Sequence, residues 1–328
     1  MGGDDNRAMT PSPTPALPAW PLTAIASVPL PGWGVIRARG ADAASFLHGQ
    51  LTQDMQSLTP ETVRLAGYCS AMGRLLASFV VWRPAADEFM LACSADLLAA
   101  TLKRLSMFVM RAKCQLSDVT AELALRGVVA PLAAAGGFPA AAGQALAAGG
   151  AQLLRLADAA GCARALWLAP AAAPTPWPAT LDAAAWRWLE VQAGVPRIVA
   201  RTVEAFVPQM INLELVGGVN FQKGCYPGQE IVARSQYRGT LKRRMRLVQL
   251  DAAAEAGAEV FAAADPGQPA GQVVLAADWP GAGAWRHAAL VELKRNLADG
   301  GGLHLGAADG PGLRPAELPY PLPVDDAA

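Results

Sequence analysis

Charge is scarce in this 328-residue chain. Only 16% of its residues are Asp, Glu, Lys or Arg, and 27 basic residues balance 27 acidic ones. A formal net charge of zero leaves no whole-molecule field to draw in nucleic acid, which argues against a binder that works through bulk charge. Histidine is scarcer still: His48, His287 and His304 are scattered, and none has a metal-ligand partner at useful spacing. The five cysteines, Cys69, Cys93, Cys114, Cys162 and Cys225, are odd in number and never spaced Cys-x-x-Cys. That excludes a disulfide framework, a local zinc site and a four-thiolate cluster motif, and it suits a reducing cytoplasm. No apolar run is long enough and free enough of charge to span a bilayer. Residues 1–10 carry Asp4 and Asp5 and no apolar core follows, so a signal peptide is not expected.

Apolar residues, at 53%, are plentiful. The length asks for two or three domains. Residues 1–21, rich in Pro, Ser and Thr, read as a disordered leader. Residues 22–120 alternate strands and helices: strands at 34–38, 64–69, 75–82, 88–93 and 113–118, a helix at 42–50 with Phe46 and Leu47 inward, and a helix capped by Ser94 that carries Leu97, Leu98, Leu102 and Leu105. That order is close to a ferredoxin-like α+β domain. Residues 121–239 read as a second α+β domain, with strands at 123–129, 152–156 and 163–168, a Pro-rich linker at 170–178 and a helix at 181–193. Residues 240–322 show short strands between Gly/Pro turns, as in a small antiparallel β-barrel. Residues 323–328 form a tail.

The most informative stretch is Phe221 to Arg234. It sets Lys223, Cys225, Tyr226, Gln229, Glu230 and Arg234 around Gly224, Pro227 and Gly228. Glycine supplies turns with positive φ, and proline holds the preceding residue extended. The pattern predicts a tight loop that presents one thiol, followed by a short strand at 231–233. Free cysteines usually pack as small hydrophobes. A polar, glycine-flanked setting with Lys223 two residues away favours a reactive thiolate instead. The other four cysteines read as strand and core residues.

The run Lys223-Gly224-Cys225-Tyr226-Pro227-Gly228-Gln229-Glu230 resembles the signature of the YgfZ family of folate-binding proteins, involved in iron–sulfur cluster maintenance and linked to tRNA modification. That family is related to the T-protein (aminomethyltransferase) of the glycine cleavage system. Three further segments carry the resemblance: residues 33–54, 186–196 and 206–213. So does Leu318-Pro319-Tyr320-Pro321-Leu322. The resemblance implies an α+β fold of three parts in a ring, with ferredoxin-like units, a C-terminal β-barrel, and tetrahydrofolate or another folate in a central channel. It places Trp33 and Trp186 at the folate. An indole does offer a flat face and one N–H donor. A pterin edge also needs a polar reader. The position where relatives carry Glu is here Gln192, with Glu190 the second candidate; on a helix the two point about 200° apart.

T-proteins carry an aspartate pair after the first-domain turn. The matching positions here are Ala77 and Ser78, neither able to act as a carboxylate base. This departure argues against aminomethyl transfer. The expectation is a cytoplasmic folate-binding accessory protein whose partners are iron–sulfur proteins or assembly factors. Cys225 is its working thiol, Lys223 favours the thiolate, and Tyr226, Gln229, Glu230 and Arg234 shape the loop and its binding surface. The alternatives are a folate-dependent one-carbon transferase and a tRNA-binding module built on Arg238, Lys242, Arg243, Arg244 and Arg246, which zero net charge disfavours.

Overall fold

A computed structural model describes residues 24–237, 241–281, 286–298 and 302–323. The leader read over residues 1–21, Arg238, and residues 324–328 of the tail lie outside the described residues.

The first strands are β1 (Ala26–Pro29) and β2 (Trp33–Arg39), followed by helix α1 (Ala43–His48). Then come β3 (Val63–Cys69), β4 (Leu75–Ala85), β5 (Glu88–Ser94), helix α2 (Ala95–Val109) and β6 (Gln115–Asp118). Strands β2 to β6 form one antiparallel sheet in the order β3-β4-β5-β2-β6. Its core takes Phe46 and Leu47 from α1 and Leu97, Leu98 and Leu105 from α2, the apolar faces that the sequence periodicity marks. Ser94 stands at the N-cap of α2 in extended conformation, but its hydroxyl makes no cap bond. It accepts from Arg197 instead.

A second sheet has the order β1-β7-β10-β9-β8, with β7 (Leu123–Pro131), β8 (Ala145–Ala148), β9 (Ala151–Ala159) and β10 (Cys162–Pro170). Strand β1 joins it from the start of the described chain, pairing Ala26 with Val129. Helix α3 (Ala183–Gln192) is capped by Asp182, which accepts from the Ala184 amide at 2.6 Å. Its apolar face lays Trp186 and Leu189 on this sheet with Leu154, Leu166 and Leu168.

Helix α4 (Gln229–Tyr237) follows the cysteine loop. The strand expected at 231–233 is therefore a helix. Two β-branched residues, Ile231 and Val232, suggested a strand, but Val232 is buried on one helical face while Ile231 and Arg234 face out. Tertiary packing outweighs so short a propensity signal. The chain then closes a six-stranded antiparallel barrel: β11 (Arg243–Leu250), β12 (Glu259–Ala262), β13 (Asp265–Asp278), β14 (His287–Lys294), β15 (Leu303–Leu305) and β16 (Gly312–Ala316). Val248, Val260, Val273 and Val291 fill its interior. In β11, Arg243 pairs with Glu292 at 2.8 Å and Arg244 with Glu214, so these two members of the basic cluster are engaged inside the fold.

Between α3 and α4, the segment 206–220 holds a short 3-10 helix, Pro208–Ile211, and is otherwise built of turns. Side chains bond its backbone and neighbours. Gln209 donates to the Val232 carbonyl at 2.7 Å, Asn212 to that of Met245 at 3.0 Å, and Thr52 to that of Gly218 at 2.6 Å.

Gly127 in β7 lies directly under the Trp186 indole: a methyl group there would fall 2.5 Å from the ring. Overpacking of this kind typically costs about 1–3 kcal/mol. Gly127→Ala is therefore expected to lower the thermal midpoint measured by circular dichroism; an unchanged midpoint would show that the indole can move away.

Candidate functional site

A cavity of about 590 Å³ lies between the two sheets, α3 and the C-terminal segment. Val63, Val80 and Leu156 give it apolar walls, and Leu213 and Tyr320 help to close it. The turn after α3 requires Gly194, whose φ is +65°, and a side chain there would strike the Tyr320 ring. Tyr320 in turn donates to the Gly194 carbonyl at 2.7 Å.

The polar groups of the cavity come from α3 and the turn that follows. Glu190 is buried, and its Oε2 meets Arg197 Nη2 at 3.3 Å. The Arg197 guanidinium lies over the Trp33 ring, 4.9 Å from its centre, and donates to Ser94 Oγ at 3.1 Å. Stacking and a hydroxyl thus fix the arginine, and the arginine fixes the carboxylate. Arg164, from β10, is fully enclosed, stacks on Trp186 at 5.1 Å and donates to the Leu189 carbonyl. Burial pushes its pKa down to about 10, with the Glu190 carboxylate opposing the shift.

Of the residues expected at a ligand, Trp33 and Glu190 line this cavity, whereas Trp186 and Gln192 do not. Trp186 is a core residue packed on Gly127, and its Nε1 has no partner. Gln192 is buried with both amide atoms unpartnered. The 200° between the helix positions puts Glu190, the second candidate, on the cavity side. Ser78 also lines the cavity, where it accepts from the Ile198 amide at 2.9 Å, and Ala77 is buried. Sequence reasoning passed over Arg164, Arg197 and Tyr320 as site residues. The available signal was a lone arginine inside the otherwise apolar strand at 163–168.

The cysteine loop is a separate place; none of Lys223, Cys225, Tyr226, Gln229, Glu230 or Arg234 lines the cavity. Gly228, at φ +77°, packs against the backbone of Ser70 and Gly73, an approach that no side chain permits. Lys223 reaches under the loop, where its ammonium donates to the carbonyls of His48 and Leu51 (the latter at 2.9 Å) at the end of α1. It lies 4.8 Å from the centre of the buried Tyr226 ring. Burial lowers the Lys223 pKa to about 8, while Asp54 and Cys225 oppose the shift. His48 bonds Asp54 through Nδ1 at 3.0 Å, and the Nε2 edge of its ring faces Gly224. Glu230 and Arg234 are exposed on α4 and Gln229 is half-buried. Cys225 is exposed, as the loop pattern predicts. Cys69, Cys93 and Cys162 are buried in strands; Cys114 is half-buried just ahead of β6 rather than within it.

The chain is similar to the tRNA-modifying protein YgfZ of Edwardsiella ictaluri (strain 93-146), with 34% identity over 256 residues, 73% of this chain and 75% of that protein. The chain belongs to the YgfZ family. No family model matches the sequence. The fold of this YgfZ family member is similar to that of the glycine cleavage system aminomethyltransferase T from Bartonella henselae. The TM-score is 0.68, covering 88% of this chain and 84% of that one. At 18% identity the likeness is one of fold: mixed α+β with a C-terminal barrel. Among the described residues no helix is long and apolar enough to cross a membrane.

Two outcomes follow from the loop. Burial pushes the thiols of Cys69 and Cys93 up to about 12 and that of Cys114 to about 11, and raises that of Cys162. Iodoacetamide at neutral pH should therefore label Cys225 alone, read by peptide mass; label on a second cysteine in the folded protein would contradict the burial. For Lys223, the folded pKa lies below that of the unfolded chain, so unfolding takes up a proton between about pH 8 and the ordinary lysine value, and the lysine's contribution to stability grows as pH rises through that window. The stability gap between wild type and Lys223→Met, measured by urea unfolding, should widen from pH 7.5 to pH 10. A constant gap would mean that the amine is not desolvated.

Proposed function

We propose that this YgfZ family member is a tetrahydrofolate-binding accessory protein that supports iron–sulfur cluster assembly or repair in other proteins. Its effect on tRNA modification, the activity named for its Edwardsiella relative, runs through cluster-dependent enzymes. Cys225 is the working thiol, and Lys223, through its charge and its anchoring of the loop, favours the thiolate. Tyr226, Gln229, Glu230 and Arg234 shape the surface around it. The compartment of action is the cytoplasm.

The observation that carries the folate reading is the cavity itself. Its volume of about 590 Å³ falls in the range that takes a drug-sized ligand, and such sites pair apolar walls with a few placed polar groups. The residues fit a folate: Val63, Val80 and Leu156 suit the faces of a ring system, and the Glu190–Arg197 pair offers an acceptor and donors at one end. Tetrahydrofolate, when bound, offers nitrogen atoms that accept one-carbon units. The chain's own carboxylates at the cavity are poorly suited to aminomethyl transfer. Glu190 is paired with Arg197 and Asp158 with Arg155 at 2.6 Å, and a carboxylate held by a guanidinium is a weak base. Cys225 lies apart from this cavity and open to solvent, which suits a thiol that meets a protein partner.

Anaerobic titration with tetrahydrofolate, followed by calorimetry, tests the ligand. Saturable binding is expected, weakened about tenfold in Trp33→Phe because the smaller ring holds Arg197 less well. Absence of binding at millimolar ligand would reject the folate reading. In a deletion strain, Cys225→Ser is expected to leave cluster-enzyme activity unrestored while keeping fold and folate binding; full complementation would remove the thiol from the mechanism.

A further inference from the structure

Helix α2 ends in a feature that neither the cavity nor the thiol uses. Its last turn and the turn towards β6 expose Met107, Phe108 and Met110, which are 61%, 44% and 86% accessible. None of them lines the cavity. Apolar side chains exposed singly are ordinary, but three at one reversal of the chain mark a surface with an occupant. Met110 follows the helix with φ at +42°, in the left-handed region where glycine is the usual choice. A methionine kept there, with its side chain in water, contributes little to the fold and carries a conformational cost.

Cations surround this tip. Between Asp96 and Asp118 the chain has no acidic residue and carries Lys103, Arg104, Arg111 and Lys113. Lys103 stands one helical turn ahead of Met107, and Arg104 one turn ahead of Phe108. Arg104 is bonded to the Tyr68 hydroxyl. Lys103, Arg111 and Lys113 are exposed. Two acids close to Lys113 are engaged: Asp42 accepts from the Lys113 amide at 2.7 Å, and Asp87 pairs with Arg39 at 3.8 Å. A surface with cations of one sign around an apolar centre disfavours a second copy of this chain as its occupant, because like charges would meet face to face. Nucleic acid would use the cations and leave the apolar side chains without a role. An anionic lipid surface uses both.

We infer that the tip of α2 is a reversible anchor for an anionic membrane surface. Met107, Phe108 and Met110 enter the boundary between headgroups and acyl chains, and Lys103, Arg111 and Lys113 meet the lipid phosphates. Each cation near such a surface strengthens binding about fivefold, so three supply on the order of 100-fold. So small an apolar tip holds weakly without them, which makes the contact reversible and sensitive to salt. The inference stands apart from the folate reading and from the role of Cys225.

Co-sedimentation of the full chain with vesicles tests it, using phosphatidylcholine alone and phosphatidylcholine mixed with phosphatidylglycerol. The anionic vesicles should bind the protein at least tenfold more tightly than the neutral ones, and high salt should release it. Met107→Gln with Met110→Gly should lose about tenfold in that affinity without lowering the thermal midpoint, because both side chains lie in water and glycine suits the +42° backbone. Lys103→Glu with Lys113→Glu should abolish the preference for anionic vesicles. Equal affinity for the two vesicle types, or an affinity that neither variant changes, would overturn the inference. Sensitivity to the charge variant alone would reject insertion of the apolar tip. A gel shift of transfer RNA that the charge variant abolishes, without vesicle binding, would overturn the inference in favour of nucleic acid.

Discussion

A stretch of chain with one short 3-10 helix and no strand holds the molecule together. Residues 206–220 run between α3 and α4 with no strand to pair with, yet much of the stretch is buried. Buried peptide groups must find partners; turns within the stretch supply most of them, and side chains tie it to its neighbours. Gln209, Asn212 and Thr52 are each fully buried, and each bonds a backbone carbonyl in another part of the fold. Arg244 adds a bond to the Gln209 carbonyl at 2.9 Å and an ion pair with Glu214. These contacts tie the first sheet, α4 and the barrel to one another. Each is directional, so together they set position where apolar packing alone would allow sliding.

That stitching serves both of the places where chemistry is possible. Leu213, Leu215 and Val216 form one wall of the cavity. A few residues on, the same stretch enters the cysteine loop, where Asn220 donates its amide to the Thr52 carbonyl and Lys223 holds the end of α1. The cavity faces inward between the sheets and the thiol faces outward. An enclosed ligand and an accessible sulfur make opposite demands on solvent, and separation allows both to be met.

Much of this was readable in the amino-acid order, for reasons that differ by element. Strand β4 announced itself through the β-branched and aromatic run Phe79, Val80, Val81 and Trp82. Helix α3 did so through an apolar stripe and the Gly194 stop. The cysteine loop was visible because glycine and proline have few other reasons to cluster around polar residues. What stayed hidden is non-local or short. Strand β1 joins a sheet built mainly from residues a hundred positions later. Strands β8 and β12 have four residues each, too few for a periodic pattern. The run Ile231-Val232-Ala233 reads as strand in isolation and becomes helix because Val232 has a buried place to fill. Arg197 carried no local sign of its role; only the fold brings it over Trp33.

The cavity has one further property, which concerns the order in which the chain is made. Trp33 stands near one end of the described residues and Tyr320 near the other, and both line the same space. Gly194 and Tyr320 close against each other only after the barrel, residues 243–316, has been traversed. Domains generally fold as units from the N-terminus during synthesis. The two sheets can therefore form while the barrel is still unmade, but the chamber between them lacks its Tyr320 wall until residue 320 has been made. A chain that stops short of residue 320 keeps the walls that the two sheets and α3 supply, but not the one made by Pro319 and Tyr320.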